Sequence, residues 1–156
     1  RYTWKIVGKQ EMYIPYNGNK LLQPKTDKEV LGKLYINPDY SRWELHRVSV
    51  MEANLRAGQR HTSAKSRYYV DEDTWQVVLA DRWDARGQLW RTLSTTNIVA
   101  PDVPGTISLG MVVSDLSANH GLVINLFNSK PWQFVVKPPY PESTFSPDAL
   151  ASEGAR

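Results

Sequence analysis

Residues Arg42 to Arg91, RWELHRVSVMEANLRAGQRHTSAKSRYYVDEDTWQVVLADRWDARGQLWR, decide the fold. Trp43 to Leu55 favours strand, with Trp43, Val48 and Val50, yet both of its faces mix apolar and ionic groups, so it is not a simple solvent-facing strand. Arg56-Ala57-Gly58-Gln59 follows as a short loop in which Gly58 can take positive φ without steric cost. Arg60 to Val70 returns with Ala64, Ser66, Tyr68 and Val70 on one side and His61, Lys65, Arg67 and Tyr69 on the other, an alternation that sets the register. Asp71-Glu72-Asp73 forms the next turn, because an Asp side chain can bond its own backbone two residues on. Thr74 to Trp83 then recrosses, placing Trp75, Val77, Leu79 and Trp83 together, and Asp84-Ala85-Arg86-Gly87 closes a common hairpin loop before a strand from Gln88 to Val99. Three successive hairpin loops predict a meander of antiparallel strands.

Working outward, Tyr2–Val7 and Glu11–Tyr16 read as two short extended segments, with Gly8 as punctuation and Asn17-Gly18-Asn19 as a turn. Pro15 cannot donate to a ladder, which places the second segment at an edge or ends it there. Between Lys20 and Asp39 the pattern weakens into a loop that crosses the sheet, within which DKEVLGKLYI forms one turn of helix or a short strand. Downstream, Pro101 and Pro104 break the ladder. Thr106–Leu116 and Gly121–Asn128 supply two more strands, and GLVINLF, apolar on both faces, is expected to be the most buried strand or one covered by another element. Extended structure is expected near Trp132 to Val136. The chain reads as one mainly-β domain over residues 1–136 with eight or nine strands, followed by a Pro-rich, largely extended or mobile tail over 137–156. Such a sheet must curl into a barrel, split into a sandwich, or bury its apolar face under something else.

Composition narrows the function classes. The 156 residues suffice for a core of their own, and 41% hydrophobic with 22% charged is ordinary for a globular domain. No run approaches the roughly 18 apolar residues of a membrane-spanning helix. The start, RYTWKIVGKQ, lacks the apolar core of a signal peptide. Zero cysteines exclude disulfides and thiolate metal sites. A net charge of +3 is mild, and acids and bases alternate from Glu44 to Arg91, which fits a salt-bridged face better than a phosphate track. Nucleic acid is not an expected partner.

Candidate chemistry is sparse. His46 and His61, placed on neighbouring strands with Glu44, Glu52, Asp71 and Asp73, could hold a divalent metal, but no HExxH or i, i+4 histidine pair is present and a salt-bridged histidine is the commoner role. There is no G-x-S-x-G elbow and no Gly-rich phosphate loop. Asp71 and Asp73 read as turn caps. No catalytic residue, metal or cofactor is therefore assigned. Arginines recur beside tryptophan and tyrosine, where they stack and pair with carboxylates; they build either an ionic network or the head-group end of a cavity. Aromatic walls with few polar groups suit apolar ligands. The candidate ligand-binding residues are Trp43, His46, His61, Arg67, Tyr69, Trp75, Trp83 and Trp90.

Five segments carry a family resemblance: Met12–Asn17, Glu44–Val48, Gly58–His61, Tyr69–Trp75 and Trp83–Arg91. Together they resemble the DUF1329 family of bacterial envelope proteins, whose pattern includes MY-x-P-Y-N, ELHRV, G-x-RH, Y-x-DEDSW and YD-x-RG-x-LWR. Thr74 stands where that pattern has serine, and Trp83 where it has tyrosine. The resemblance covers residues 4 to 100 well and the remainder loosely. Because family members are longer, it implies the C-terminal part of such a protein, without signal peptide and N-terminal half. It also implies a fold similar to LolA/LolB-type outer-membrane lipoprotein-sorting proteins: a curved antiparallel sheet forming an unclosed half-barrel with few helices.

The function expected from this combination is a non-enzymatic, periplasmic or outer-membrane-associated binding module for a lipid-like or other hydrophobic small molecule, assisting envelope transport or lipoprotein sorting. Envelope transport components and the N-terminal half are the expected protein partners. The alternatives are an enzyme acting on a lipid or aromatic compound through His46, His61 and the acidic residues, and a structural interaction module that docks through a sheet edge.

Overall fold

The computed structural model describes residues 1–126, 128 and 136–153. Seven strands make one antiparallel sheet in which every strand pairs with its sequence neighbours: β1 Tyr2–Pro15, β2 Trp43–Leu55, β3 Lys65–Asp71, β4 Val77–Trp83, β5 Leu89–Ala100, β6 Gly105–Asp115 and β7 His120–Ile124. The sheet is unclosed, with β1 and β7 as its two edges. Among the described residues helix is limited to α1 Asp27–Val30, α2 Pro147–Glu153 and three short 3-10 turns.

The meander stands as the local chemistry dictates. Asp71 Oδ2 accepts from the Thr74 amide at 3.1 Å and from its hydroxyl at 2.6 Å, and Asp84 Oδ1 accepts from the amides of Arg86 and Gln88, each at 2.9 Å. Gly58 and Gly87 take φ of +76° and +75° in their loops.

Several expectations are corrected. Tyr2 to Pro15 is one strand and not two; the chain absorbs Gly8 as a bulge between Ile6 and Gly8 and keeps pairing with β2. Strand β3 begins at Lys65, so Arg60–Ala64 is loop and His61 is not on a strand. Trp75 does not share a strand with Val77, Leu79 and Trp83, because it sits in the Asp71–Gln76 turn with φ of +58° and is 75% exposed. Of the two expectations for GLVINLF, full burial fails, since among the described residues β7 pairs with β6 alone and Leu122 is 57% exposed, while cover by another element holds, the segment before β2 laying Leu21, Val30 and Ile36 against it. The hydrophobicity of β7 is used on one face only, where Val123 packs against a buried cluster. The strand count is seven among the described residues. The extended stretch expected near Trp132 to Val136 falls, except for Val136, outside the described residues. In the expected tail, Glu142–Phe145 is a 3-10 turn, and Pro147 opens α2 where proline is tolerated in a first helical turn.

The sheet curls about one face. At the end of β1, the Gly18 amide donates to the Asn97 carbonyl at 2.8 Å. Asn19 donates through Nδ2 to the Val99 carbonyl at 2.8 Å and accepts the Val99 amide at 2.9 Å. These bonds bring β1 against β5 across the intervening strands and make the face carrying Ile14, Val48 and Val50 the inner one. Gly18 is required by the close approach, since a Cβ there would lie 2.8 Å from the Asn97 oxygen.

The core has two parts on this inner face. Ile14, Val48, Val50 and Val78 form one, with Met12, Tyr16, Tyr69 and Leu79 against it. The other is built by residues 16–42, which leave β1, cross the inner face, and return to β2. Leu21 and Val30 pack with Ile36 upon Val112, with Val123 beside them. The crossing segment is held locally by the Thr26 amide donating to the Glu29 carboxylate at 3.0 Å and by a bridge between Leu31 and Ile36. Gly121 lets its backbone come close, as a Cβ there would meet Leu34 Cα at 3.1 Å.

Ile14 is fully buried where β1, β2 and β4 meet. Ile14→Ala is expected to cost about 2–5 kcal/mol of stability, read as a lowered urea midpoint. An unchanged midpoint would show that this cluster does not hold the curl.

Candidate functional site

The crossing segment does not fill the space beneath it. A cavity of about 230 Å³ lies between it and β5–β6, walled by Leu21, Leu34, Ile36 and Val112, with Pro15 and Tyr16 at one end and Tyr35 and Trp43 at its rim. A second cavity of about 240 Å³ continues along the inner face between Met12, Trp43, Tyr69, Leu79, Asp81 and Thr92. Trp43 and Ser94 line both, and the side chains of Met12, Tyr69, Leu79 and Val112 lie on the same inner face by register, which makes the two neighbours along one groove. Trp43, which lines both cavities, is 47% exposed.

The polar end of the groove is built by cross-strand pairing. Register places Arg67 opposite both Glu52 and Asp81, and Lys65 opposite Trp83. The Arg67 guanidinium turns to Glu52 and donates to it, while Lys65 reaches Glu52 at 3.1 Å. Both cations also lie over the Trp83 ring, at 5.2 and 5.8 Å from its centroid. The Arg67 bond holds the Glu52 carboxyl below its ordinary value. Tyr69 donates its hydroxyl to Asp81 at 2.9 Å. Burial, then Asp81, pushes the Tyr69 hydroxyl up.

Beside the mouth of the first cavity lies a second polar cluster, at the ends of β1, β2 and β3. His46 Nδ1 is 3.0 Å from Asp71 and 3.2 Å from Asp73, with Glu44 at 3.9 Å from Nε2. The Tyr16 ring lies 4.4 Å from the imidazole. Burial and then the carboxylates of Asp71, Asp73 and Glu44 raise the Tyr16 hydroxyl. Arg42 reaches Glu44 at 2.8 Å, Asn17 also donates to it, and the Tyr16 amide donates to the Arg42 carbonyl at 3.0 Å. The cluster thus clasps the points where the crossing segment leaves and rejoins the sheet. The ligand atoms of His46, Asp71 and Asp73 all lie within 4.8 Å of one another, a donor set that could hold a divalent cation. In the structure Asp71 already uses one oxygen on Thr74 and the other on His46.

The eight candidate residues therefore separate. Trp43 and Tyr69 line the groove, Arg67 and Trp83 line neither cavity although Arg67 is the cross-strand neighbour of Asp81, and His46 stacks on Tyr16 at its mouth. His61, Trp75 and Trp90 are not brought to it. His61 packs at the far end, accepting from or donating to the Tyr2 hydroxyl at 2.7 Å. Since Met12 pairs with His46 and Tyr2 with Leu55, nine residues along β2 separate the histidines, about 30 Å at 3.3 Å per residue. Trp75 points outward in its turn, and Trp90 stacks under Arg91 at 4.0 Å. Sequence reasoning missed Asp81, Ser94 and the crossing-segment walls Leu21, Leu34 and Ile36. Asp81 was available from alternation, because it lies between Leu79 and Trp83 on one face of β4.

On the outer face, Glu72 binds Lys9 and Arg47 at 2.6 Å each and accepts from Ser49 at 2.9 Å. These bonds, Lys9 first, pull its carboxyl from the ordinary 4.5 to about 2. A carboxyl depressed on folding contributes stability above its unfolded value and loses it as pH falls through the folded one. Stability should therefore decline between pH 4.5 and about 2 more steeply in the native chain than in Glu72→Gln. Thermal melts across that window check this; parallel profiles would contradict it.

A family model described as a protein of unknown function, DUF1329, matches residues 1–151. An uncharacterized protein of Pseudomonas aeruginosa is 38% identical over an alignment that covers 100% of this chain and 34% of the relative. The chain thus spans about a third of the length of the curated relative it matches. Among solved structures, a Vibrio parahaemolyticus domain assigned to outer-membrane lipoprotein sorting is similar at 14% identity and a TM-score of 0.45, covering 84% of this chain and 58% of that one.

Proposed function

The chain belongs to the DUF1329 family, and from its geometry we propose that it is a non-enzymatic binding module for a hydrophobic small molecule, received in the groove between residues 16–42 and the inner face. The observation that carries this reading is the pair of adjoining cavities that meet at Trp43 and Ser94. Their walls combine apolar side chains with polar groups in both parts, Ser41, Arg42, Asn97 and Ser114 in the first cavity and Asp81 and Thr92 in the second, a mixture that suits a hydrophobic molecule bearing a polar group.

Magnitudes set what such a groove can hold. Scaling from a ~150 Å³ cavity that binds benzene, the space beneath the crossing segment takes roughly nine non-hydrogen atoms, and the second cavity extends that length. Each buried methylene contributes about 0.8 kcal/mol, offset by at least ~4 kcal/mol of lost freedom, so chains of about ten to fifteen carbons would bind at roughly millimolar to micromolar Kd.

A bacterial envelope location, periplasmic or at the outer membrane, and a place in transport or lipoprotein sorting belong to the same proposal and rest on the motif resemblance. None of the chain's described helices is long and apolar enough to cross a membrane. His46 and His61 lie far apart along β2, which supports the binding reading over one that joins both histidines in a single centre.

The test is uptake of an environment-sensitive apolar dye together with lipid extraction and native mass spectrometry. Saturable dye binding, displaced by long-chain alcohols, is the expected result. Trp43→Ala should weaken it by about tenfold, the equivalent of ~1.4 kcal/mol from a lost aromatic wall. No dye binding and no extractable ligand would overturn the reading.

A further inference from the structure

The groove carries one group that its apolar character does not explain. Asp81 lines the second cavity beside Thr92 and Ser94, on the same face as Leu79 and Tyr69. Among the described residues no Lys, Arg or His nitrogen lies within 4.0 Å of its carboxylate, although eleven such contacts occur elsewhere. Its cross-strand neighbour Arg67 is drawn away to Glu52, and Lys65 goes to the same acid. One Asp81 oxygen accepts from Tyr69, a neutral donor. A carboxylate has acceptor capacity beyond that one bond, and Thr92 and Ser94 line the same cavity.

We propose that Asp81 selects the ligand's head group: the groove takes an apolar body ending in a hydrogen-bond donor, a hydroxyl or an ammonium, and rejects an anionic carboxylate. The inference rests on the binding reading above and deepens it. The apolar part lies beneath residues 16–42 against Leu21 and Val112, the chain passes Trp43, and the head reaches Asp81. A donor on the head satisfies the carboxylate in surroundings drier than bulk water, where a charged hydrogen bond is stronger. A carboxylate head meets a like charge instead, which is discrimination by repulsion as much as by attraction. The cations beside the groove do not reverse the preference, because the Arg67 guanidinium is already engaged by Glu52 and by the Trp83 ring, and Arg42, which lines the first cavity, by Glu44.

The experiment compares decan-1-ol, decylamine and decanoate, each below its aggregation limit, by displacement of the same apolar dye from the native chain at pH 7.5. The alcohol and the amine should displace at least about tenfold more effectively than decanoate, the scale of one partly screened like-charge contact. In Asp81→Asn the gap should close to within about threefold, mainly by improved binding of decanoate, while the alcohol changes little. Separation of alcohol from amine tells whether the preferred head is neutral or cationic. Equal displacement by all three, or preference for decanoate, in the native chain overturns the Asp81 assignment and leaves the groove reading intact. Failure of the dye and of every probe to bind overturns the groove reading and this inference with it. The native-chain comparison decides the question even if the variant does not fold.

Discussion

The structure depends on a short set of backbone-anchored bonds that tie the end of β1 to β5. Gly18 and Asn19 meet Asn97 and Val99 some 80 residues further along the chain. A seven-stranded meander with two free edges would otherwise be an open twisted sheet. Drawing β1 across the sheet gives it an inside, sends residues 16–42 over that inside, and leaves a space beneath them. Fold, core and groove follow from the same closure. Its geometry is strict, because a side chain at Gly18 would collide with the Asn97 carbonyl.

Polar groups mark the two ends of that inside and serve different purposes. At the mouth, Tyr16, Asn17, Glu44, His46 and Asp71 come from three separate segments and clasp the entry and return of the crossing segment. At the other end, Glu52 collects Lys65 and Arg67 while Asp81 is left to a tyrosine. Ionic groups that flank aromatic strands therefore frame a cavity. The wholly outer-face group around Glu72 is a conventional ionic staple between β1, β2 and the β3–β4 turn.

The meander was legible because its signals are local. Asp71, Gly58, Asp84 and Gly87 each act within a few residues, and the β2 limits Trp43–Leu55 coincide with those read from the pattern. Misreadings came from non-local physics. Gly8 resembles a break in isolation, but pairing with β2 carries the strand through it. The apolar β7 reads as buried or covered, and its cover is the distant segment that lays Leu21, Val30 and Ile36 beside Val123. Aromatic identity alone grouped Trp75 and Trp90 with Trp43, although one sits in a positive-φ turn and another under an arginine. The site's walls lay in the weakest stretch of pattern, residues 20–39, whose apolar side chains gain meaning only when laid on β6 and β7.

The outer face offers a competing place for apolar molecules, a depression of about 250 Å³ among Tyr68, Ala80, Leu93 and Met111. A crystal structure of the chain soaked with decan-1-ol discriminates between the faces most directly. The account predicts continuous density under the crossing segment, from Leu21 and Val112 past Trp43 toward Asp81. Density confined to the outer depression, with the inner groove occupied only by water, would contradict it.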